Sequence, residues 1–267
     1  VLDRRGQAID PLVDAHHRQA AARQAVARSV PAAWRRAAVG RADLDRFLFE
    51  PGDVVVVVGQ DGLVANVAKY LDGQPVIGVN PDPAAYEGVL VPHPAEAAAD
   101  LMAAAAAGRA EVERRTMVEA EVPGGHRLRA LNEVFVGHRT HQSARYRLAW
   151  REREERQSSS GVVVSTGTGA TGWARSIHGS RRTALALPAP EDERLVFFTR
   201  EAWPSVTTGT SLVEGELGPG EDLVLRSEMN DGGVAFGDGI ERDAVELGWG
   251  VTLRVGLAAE RLHLVRS

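Results

Sequence analysis

The sequence predicts an α/β half followed by a β-rich half, and three observations carry that expectation. The apolar run Val54–Val58 ends in Gly59-Gln60-Asp61-Gly62 and leads into Asn66–Leu71, a stretch of helical character. This is the pattern of a buried strand of a parallel sheet feeding a helix. Beyond Gly108, helical periodicity becomes scarce and short alternating runs separated by glycine-bearing turns take over. The change of texture places a boundary near residue 109, with 1–108 as an α/β domain, a parallel sheet flanked by helices, and 109–267 as a β-rich domain.

Taken in order, residues 7 to 39 are rich in Ala, Arg and His, with apolar positions Ile9, Val13, Ala20 and Val26 that predict one or two helices. Pro51-Gly52-Asp53 punctuates before the Val54 strand. Gln74-Pro75 introduces the short buried strand Val76-Ile77-Gly78-Val79, which ends at Asn80-Pro81-Asp82-Pro83. Pro94 to Ala107 reads as an alanine-rich surface helix with Gly108 as its C-cap. In the second half, Glu113–Val122, Val134–Val136, Arg145–Trp150, Val162–Ser165, Leu195–Thr199, Leu223–Arg226, Val251–Val255 and Leu262–Val265 read as strands. Arg151 to Ser160, charged and then serine-rich, reads as an exposed hairpin connection.

Composition narrows the function classes. The 267 residues suffice for a substantial core, and a net charge of -5 gives no basic footprint for nucleic acid. Cysteine is absent, which removes disulfides and thiolate metal sites. Lys69 is the only lysine, so the Gly-x-x-x-x-Gly-Lys-Ser/Thr phosphate loop is excluded. No apolar stretch has the length of a membrane span and no signal-like segment opens the chain, so the expectation is a cytoplasmic protein with no membrane partner. The sequence opens on Val1 rather than Met, which leaves room for residues upstream.

Three segments concentrate chemistry. Gly59-Gln60-Asp61-Gly62 stands just beyond a strand end, where ligands bind in a parallel α/β sheet. Its glycines let the backbone approach a phosphate, and the helix start favours negative charge. A carboxylate there makes sense if Asp61 handles a metal or a proton; otherwise it is an ordinary turn residue. Asn132-Glu133 is an amide and a carboxylate at a strand edge, with satisfaction of strand-end backbone groups as the lesser reading of Asn132. Ser165-Thr166-Gly167-Thr168-Gly169-Ala170-Thr171-Gly172-Trp173 follows Val162–Val164 and offers hydroxyls and N–H groups suited to a ribose or phosphate. Gly167-x-Gly169-x-x-Gly172 satisfies the dinucleotide fingerprint formally, but its β-rich context argues against a Rossmann oxidoreductase. Asp238-Gly239 reads as a hairpin turn, and Trp173 fits packing as well as ligand contact. His138 and His141 read as exposed rather than as a metal pair, and no Gly-x-Ser-x-Gly elbow supports a hydrolase.

In order and spacing these segments resemble the NAD kinase family, most closely its mitochondrial-type branch. That family has Gly-Gly-Asp-Gly-Thr, Ile-Gly-(Ile/Val)-Asn, Ala-Leu-Asn-Glu-Val and Ser-Thr-x-Thr-Gly-Ser-Thr-Ala-(Tyr/Trp). This chain has Gly59-Gln60-Asp61-Gly62-Leu63, Ile77-Gly78-Val79-Asn80, Ala130-Leu131-Asn132-Glu133-Val134 and the Ser165–Trp173 run. Residues 50 to about 180 carry the resemblance; Arg200-Glu201 and Phe236-Gly237-Asp238-Gly239 follow it more loosely.

The resemblance implies an NAD kinase-like fold, an α/β nucleotide-binding domain followed by a β-rich dinucleotide-binding domain. It implies transfer of the γ-phosphoryl group of ATP to the 2'-hydroxyl of the adenosine ribose of NAD, with Mg²⁺ on the phosphates. Asp61 would be the proton acceptor, with Gly59, Gln60, Gly62 and Asn80 near the nucleotides. Asn132, Glu133, Thr168, Gly169, Thr171, Gly172, Trp173 and Ser176 would hold the dinucleotide, and no residue is assigned to a metal. The implied partners are small-molecule nucleotides and further copies of the chain, as a homo-oligomer (dimer or tetramer). Gln60 and Leu63 depart from the pattern; if the replaced glycine were left-handed, Gln60 would cost roughly 1 to 2 kcal/mol. That departure leaves two other readings open: a related kinase acting on another nucleoside or lipid hydroxyl, and a non-catalytic protein that binds NAD or a related nucleotide.

Overall fold

The computed structural model describes residues 9–267; residues 7 and 8 of the predicted helical stretch lie outside the described residues. Two compact units divide the chain: residues through Glu113 together with His263–Ser267, and Arg114–Leu262.

The first unit begins with one helix, α1 (Asp10–Ser29), carrying Pro11 in its first turn, where a missing N–H costs nothing. It stops at Val30, extended at ψ 125° because the residue before Pro31 is driven from the helical region. There follow β1 (Val55–Val58), α2 (Asp61–Ala68), β2 (Pro75–Val79), α3 (Ala98–Ala106) and β3 (Val112–Arg115). The sheet is completed by the final strand of the chain, β16 (Leu262–Val265), in the order β1-β2-β16-β3. β1 and β16 both pair in parallel with β2, as the apolar character of the first two strands predicts. Val26 of α1 and Leu101 and Met102 of α3 cover one face of the sheet, formed by Val54, Val56, Val58, Ile77, Val79 and Val265. Gly78 is required in β2: a Cβ there would collide with the carbonyl of Leu90. That close approach lays the following loop back along β2, where Val79 bridges in parallel to His93.

The second unit is a sandwich of two six-stranded sheets. Its strands are β4 (Val118–Glu121), β5 (Arg127–Ala130), β6 (Glu133–His138), β7 (Ala144–Trp150), β8 (Arg153–Ser159) and β9 (Val162–Ser165). They continue with β10 (Leu195–Thr199), β11 (Glu214–Leu217), β12 (Leu223–Ser227), β13 (Gly233–Gly237), β14 (Val245–Glu246) and β15 (Thr252–Leu257). One sheet runs β11-β10-β9-β6-β13-β14 and the other β5-β4-β15-β12-β7-β8. Every second residue points inward, so Val134, Val136, Val162, Val164 and Phe197 of the first meet Val118, Ala120, Leu148, Leu225, Leu253 and Val255 of the second in one core. α4 (Trp173–Gly179) packs Ala174 and Ile177 on the outer side, against Val196 and Phe198.

The structure corrects three sequence expectations. Arg151–Ser160 is not an exposed connection: Arg153–Ser159 is a full strand paired with β7 from Arg153↔Trp150 to Ser159↔Ala144. Its inward positions are the polar Gln157 and Ser159, so it shows no apolar alternation. Leu262–Val265, placed among the strands of the second half, belongs instead to the sheet of the first unit, parallel to β2. That sheet is mixed rather than the expected all-parallel one, because the segments of β3 and β16 run antiparallel, with Glu111 N donating to Ser267 O and Arg266 N to Glu111 O. Such a pairing, so distant along the chain, leaves no local trace.

The polar side of β8 is held by a buried network. Tyr146 Oη lies 2.7 Å from Ser159 Oγ, Thr199 Oγ1 donates to Gln157 Oε1 at 3.1 Å, and Gln157 Nε2 donates to Leu212 O at 2.9 Å. Glu155 then receives Ser211 Oγ at 2.6 Å, Gln157 Nε2 at 2.6 Å and Leu212 N at 3.0 Å. Burial pushes the Glu155 carboxyl up, but these hydrogen bonds together outweigh it and hold the group at about 2, below the usual 4.5. Its contribution to stability is therefore present above pH 4.5 and lost as pH falls from 4.5 towards 2. Urea unfolding of Glu155→Gln should show a variant weaker than the native protein at pH 7, with the gap closing across that acid window. A gap that stays constant with pH would refute this account of Glu155.

Candidate active site

Asp61 is the first residue of α2, delivered there by β1. Its carboxylate does more than mark a turn: Oδ1 accepts from Leu90 N at 2.8 Å and Val91 N at 3.2 Å, and Oδ2 from Val89 N at 3.1 Å. A carboxylate offers about four acceptor positions, so Oδ2 retains one beyond these three bonds. Asn80 is buried and works on the same loop, donating to Tyr86 O at 3.0 Å and accepting from Asp82 N at 3.0 Å. Both side chains thus hold the segment between β2 and His93 in shape. Gly59 is buried against Leu63, while Gln60 and Gly62 are exposed. Gln60 has φ -91° and ψ 164°, an extended conformation open to any residue, so the left-handed strain considered for it does not arise.

In the second unit, the carbonyl of Asn132 accepts from Thr166 N at 2.9 Å. Thr166 Oγ1 donates to the adjacent Leu131 O at 2.6 Å with Asn132 O at 3.2 Å, and Ser165 Oγ stands between Thr166 O at 3.1 Å and Asn132 O at 3.3 Å. Gly169 must be glycine, since a Cβ would run into that same carbonyl. The loop after β9 is therefore laid directly on the Asn132–Glu133 turn. Thr168 is buried, with its Oγ1 accepting from the buried Arg115 at 3.2 Å, and Thr171 Oγ1 donates back to Thr168 O at 2.9 Å. Thr171, Gly172 and Ser176 are exposed at the start of α4. Trp173 is half-buried, stacked on Phe135 with centroids 5.7 Å apart, and the Arg200 guanidinium lies 5.2 Å from its ring. Packing is thus part of what Trp173 does.

Sequence reasoning missed Asp238. Read as a hairpin turn, it stands just after β13 at φ +53°, and its carboxylate accepts from Asn132 N at 2.7 Å and Leu131 N at 3.0 Å. The Phe-Gly-Asp-Gly segment is visible in the sequence, but nothing local says that its carboxylate reaches residues so distant along the chain. Arg115, under the Thr168 loop, carried no signal either.

Glu133, the first residue of β6, faces Ser165 across the ladder. Burial first, and then the negative charge of Asp238, push its carboxyl from 4.5 to about 7. Near neutral pH it is therefore poised between a hydrogen-bond donor and an acceptor. Among the described residues no three His, Cys, Asp or Glu side chains gather as a metal site. An open depression of about 490 Å³ on the outer face of β7, β8, β12 and β15, lined by Arg147, Arg226 and Trp249, contains none of the candidate residues.

The chain matches no family model, and no curated protein matches it. Among solved structures, the yeast NADH kinase in complex with NADH superposes with a TM-score of 0.61. The chain has an NAD kinase-like fold. The superposition covers 80% of this chain and 62% of that kinase, at 17% sequence identity. At that identity the likeness shows the fold alone; the chain spans less than two thirds of the yeast protein, and the chemistry has to be argued from its own residues. The NAD kinase-like fold agrees with the α/β half and β-rich half read from the sequence.

The raised Glu133 predicts a measurable pH dependence. Its folded value near 7 lies above the unfolded 4.5, so its contribution to stability is greatest below pH 4.5 and is lost as pH rises through 7. Thermal melts of Glu133→Gln between pH 4 and 8.5 should lack that decline, so the variant gains on the native protein at the alkaline end. Parallel curves for the two proteins would refute the assignment.

Proposed function

We propose that this chain transfers the γ-phosphoryl group of ATP to the 2'-hydroxyl of the adenosine ribose of NAD, giving NADP. The observation that carries this reading is Asp61, a carboxylate at a helix start just beyond a parallel strand, oriented by three N–H groups with an acceptor position left. In the proposed step the ribose hydroxyl oxygen bonds to the γ-phosphorus, the bond from that phosphorus to the β–γ bridging oxygen breaks, ADP leaves and the hydroxyl proton goes to Asp61. Phosphoryl transfer asks a protein mainly for positioning and charge neutralisation, and Mg²⁺ carried on the ATP phosphates would supply the latter. Binding of that kind needs only one or two carboxylates beside the phosphates, so the lack of a three-membered cluster among the described residues is compatible with it.

In this reading Gly59, Gln60 and Gly62 line the donor side, and Asn80 shapes the loop that orients Asp61. Asn132, Glu133, Thr168, Gly169, Thr171, Gly172, Trp173 and Ser176 hold the dinucleotide. The extended backbone at Gln60 means that the departure from the family pattern introduces no strain there, and ATP as donor is part of the proposal. A homo-oligomer, a cytoplasmic location and kinship with the mitochondrial-type branch belong to the same proposal. No described helix is long and apolar enough to cross a membrane.

A second reading rests on the same three bonds. A carboxylate spent on Val89, Leu90 and Val91 also serves as a loop clamp, and a protein in which Asp61 did only that would bind a nucleotide without turning it over, or belong with kinases of another hydroxyl. The deciding experiment is NADP formation from NAD, ATP and Mg²⁺, followed by an NADP-specific coupled reaction. The native protein should be active, and Asp61→Asn should fall at least about a hundredfold, as expected for loss of a positioned base. A folded native protein inactive with ATP and with inorganic polyphosphate would sink the NAD kinase reading.

A further inference from the structure

Asp238 is built as a device rather than as a turn. It is one of three non-glycine residues at positive φ among those described, the others being Arg151 and Glu201. The left-handed region is unfavourable for most side chains, and Asp and Asn tolerate it best. In that conformation both carboxylate oxygens are used, Oδ1 on Asn132 N at 2.7 Å and Oδ2 on Leu131 N at 3.0 Å, while its own N–H donates to Glu133 O at 3.0 Å. Three successive residues, Leu131, Asn132 and Glu133, are thus fastened to one side chain and its backbone. The opposite side of the same turn is fastened by Thr166, whose N–H donates to the Asn132 carbonyl at 2.9 Å and whose hydroxyl donates to the Leu131 carbonyl at 2.6 Å. Every backbone bond described for Leu131 and Asn132 therefore faces inward into protein, while Asn132 Oδ1 and Nδ2 have no hydrogen-bond partner among the described residues.

We propose that Asp238 is a positioning residue: by binding the Leu131 and Asn132 peptides it fixes the Asn132 amide and the Glu133 carboxyl in the orientation in which they meet the ribose hydroxyls of a dinucleotide. This rests on the function proposed above. It goes further in giving a task to a residue of the β13 turn that touches the binding pair only through its backbone. A second consequence follows from charge. The negative charge of Asp238 acts on Glu133 alongside burial, and Ser165, its partner across the ladder from β9, is uncharged. Removing that charge should let the Glu133 carboxyl titrate at lower pH, though burial keeps it above the ordinary carboxylate range.

The test uses Asp238→Asn and Asp238→Gly, both able to keep φ +53°, so the fold is preserved while the carboxylate is lost. NAD binding is measured by calorimetry, and the Glu133 titration is followed by carbon NMR of the side-chain carboxyl, assigned with Glu133→Gln. Charge-assisted hydrogen bonds of this kind correspond to roughly ten- to hundredfold in affinity. NAD should bind weaker by that factor to both variants, most in Asp238→Gly, and the Glu133 titration should move to lower pH in both. A turn whose carboxylate neither orients nor faces the Asn132–Glu133 pair would leave both the NAD affinity and the Glu133 titration in place. Native binding matched by both variants, or a Glu133 titration unmoved in them, would overturn the inference while leaving the kinase reading intact. A native protein that binds no NAD would overturn the kinase reading and with it the dinucleotide role of Asp238; a Glu133 shift would then report only the electrostatic coupling.

Discussion

The second unit turns on a single backbone carbonyl, that of Asn132. The Thr166 N–H donates to it, the Thr166 and Ser165 hydroxyls stand beside it, and Gly169 approaches so closely that no side chain fits between. A carbonyl at the end of one strand has become the bed on which the next loop lies. The amides on its other side are neutralised by one carboxylate, so the turn is saturated from both directions. A turn with its backbone bonds satisfied in this way has little freedom to shift. The side chains of Asn132 and Glu133, which are not spent on it, are presented from rigid structure rather than from a mobile loop.

The first unit applies the same economy differently. There a side chain, Asp61, satisfies the backbone of a loop, and the loop in return orients the carboxylate. Asn80 anchors the near end of that loop and Gly78 lets its far end lie on β2. The residue types that a proton acceptor needs and those that a loop clamp needs coincide here. That is why one sequence motif supports both readings, and why activity rather than geometry separates them.

How much of this was legible in the sequence depended on whether the signal was local. Val54–Val58 and Val162–Ser165 are apolar runs that report their own burial, and both became strands as read. β8 was hidden because its inner face carries Gln157 and Ser159 in place of apolar residues, and a polar network leaves no hydrophobic period. Asp61, Asn132 and Thr168 stood out because their motifs are contiguous. Asp238 and Arg115 did not, because each acts on a partner far along the chain through one or two hydrogen bonds. Pairings of that kind have no signature in either partner's neighbourhood.

The order β1-β2-β16-β3 has a bearing on how the molecule is made. Because β16 lies between β2 and β3, the strand ending at Arg115 has no neighbour in its sheet until the twelve sandwich strands that separate it from Leu262–Val265 have been synthesised. A nascent chain therefore leaves β2 with an unpaired edge until β16 emerges, while the intervening sandwich can complete its own pairing. Closing this sheet therefore waits on a pairing across the whole sandwich in sequence, governed by the search of a short strand for its slot rather than by local structure.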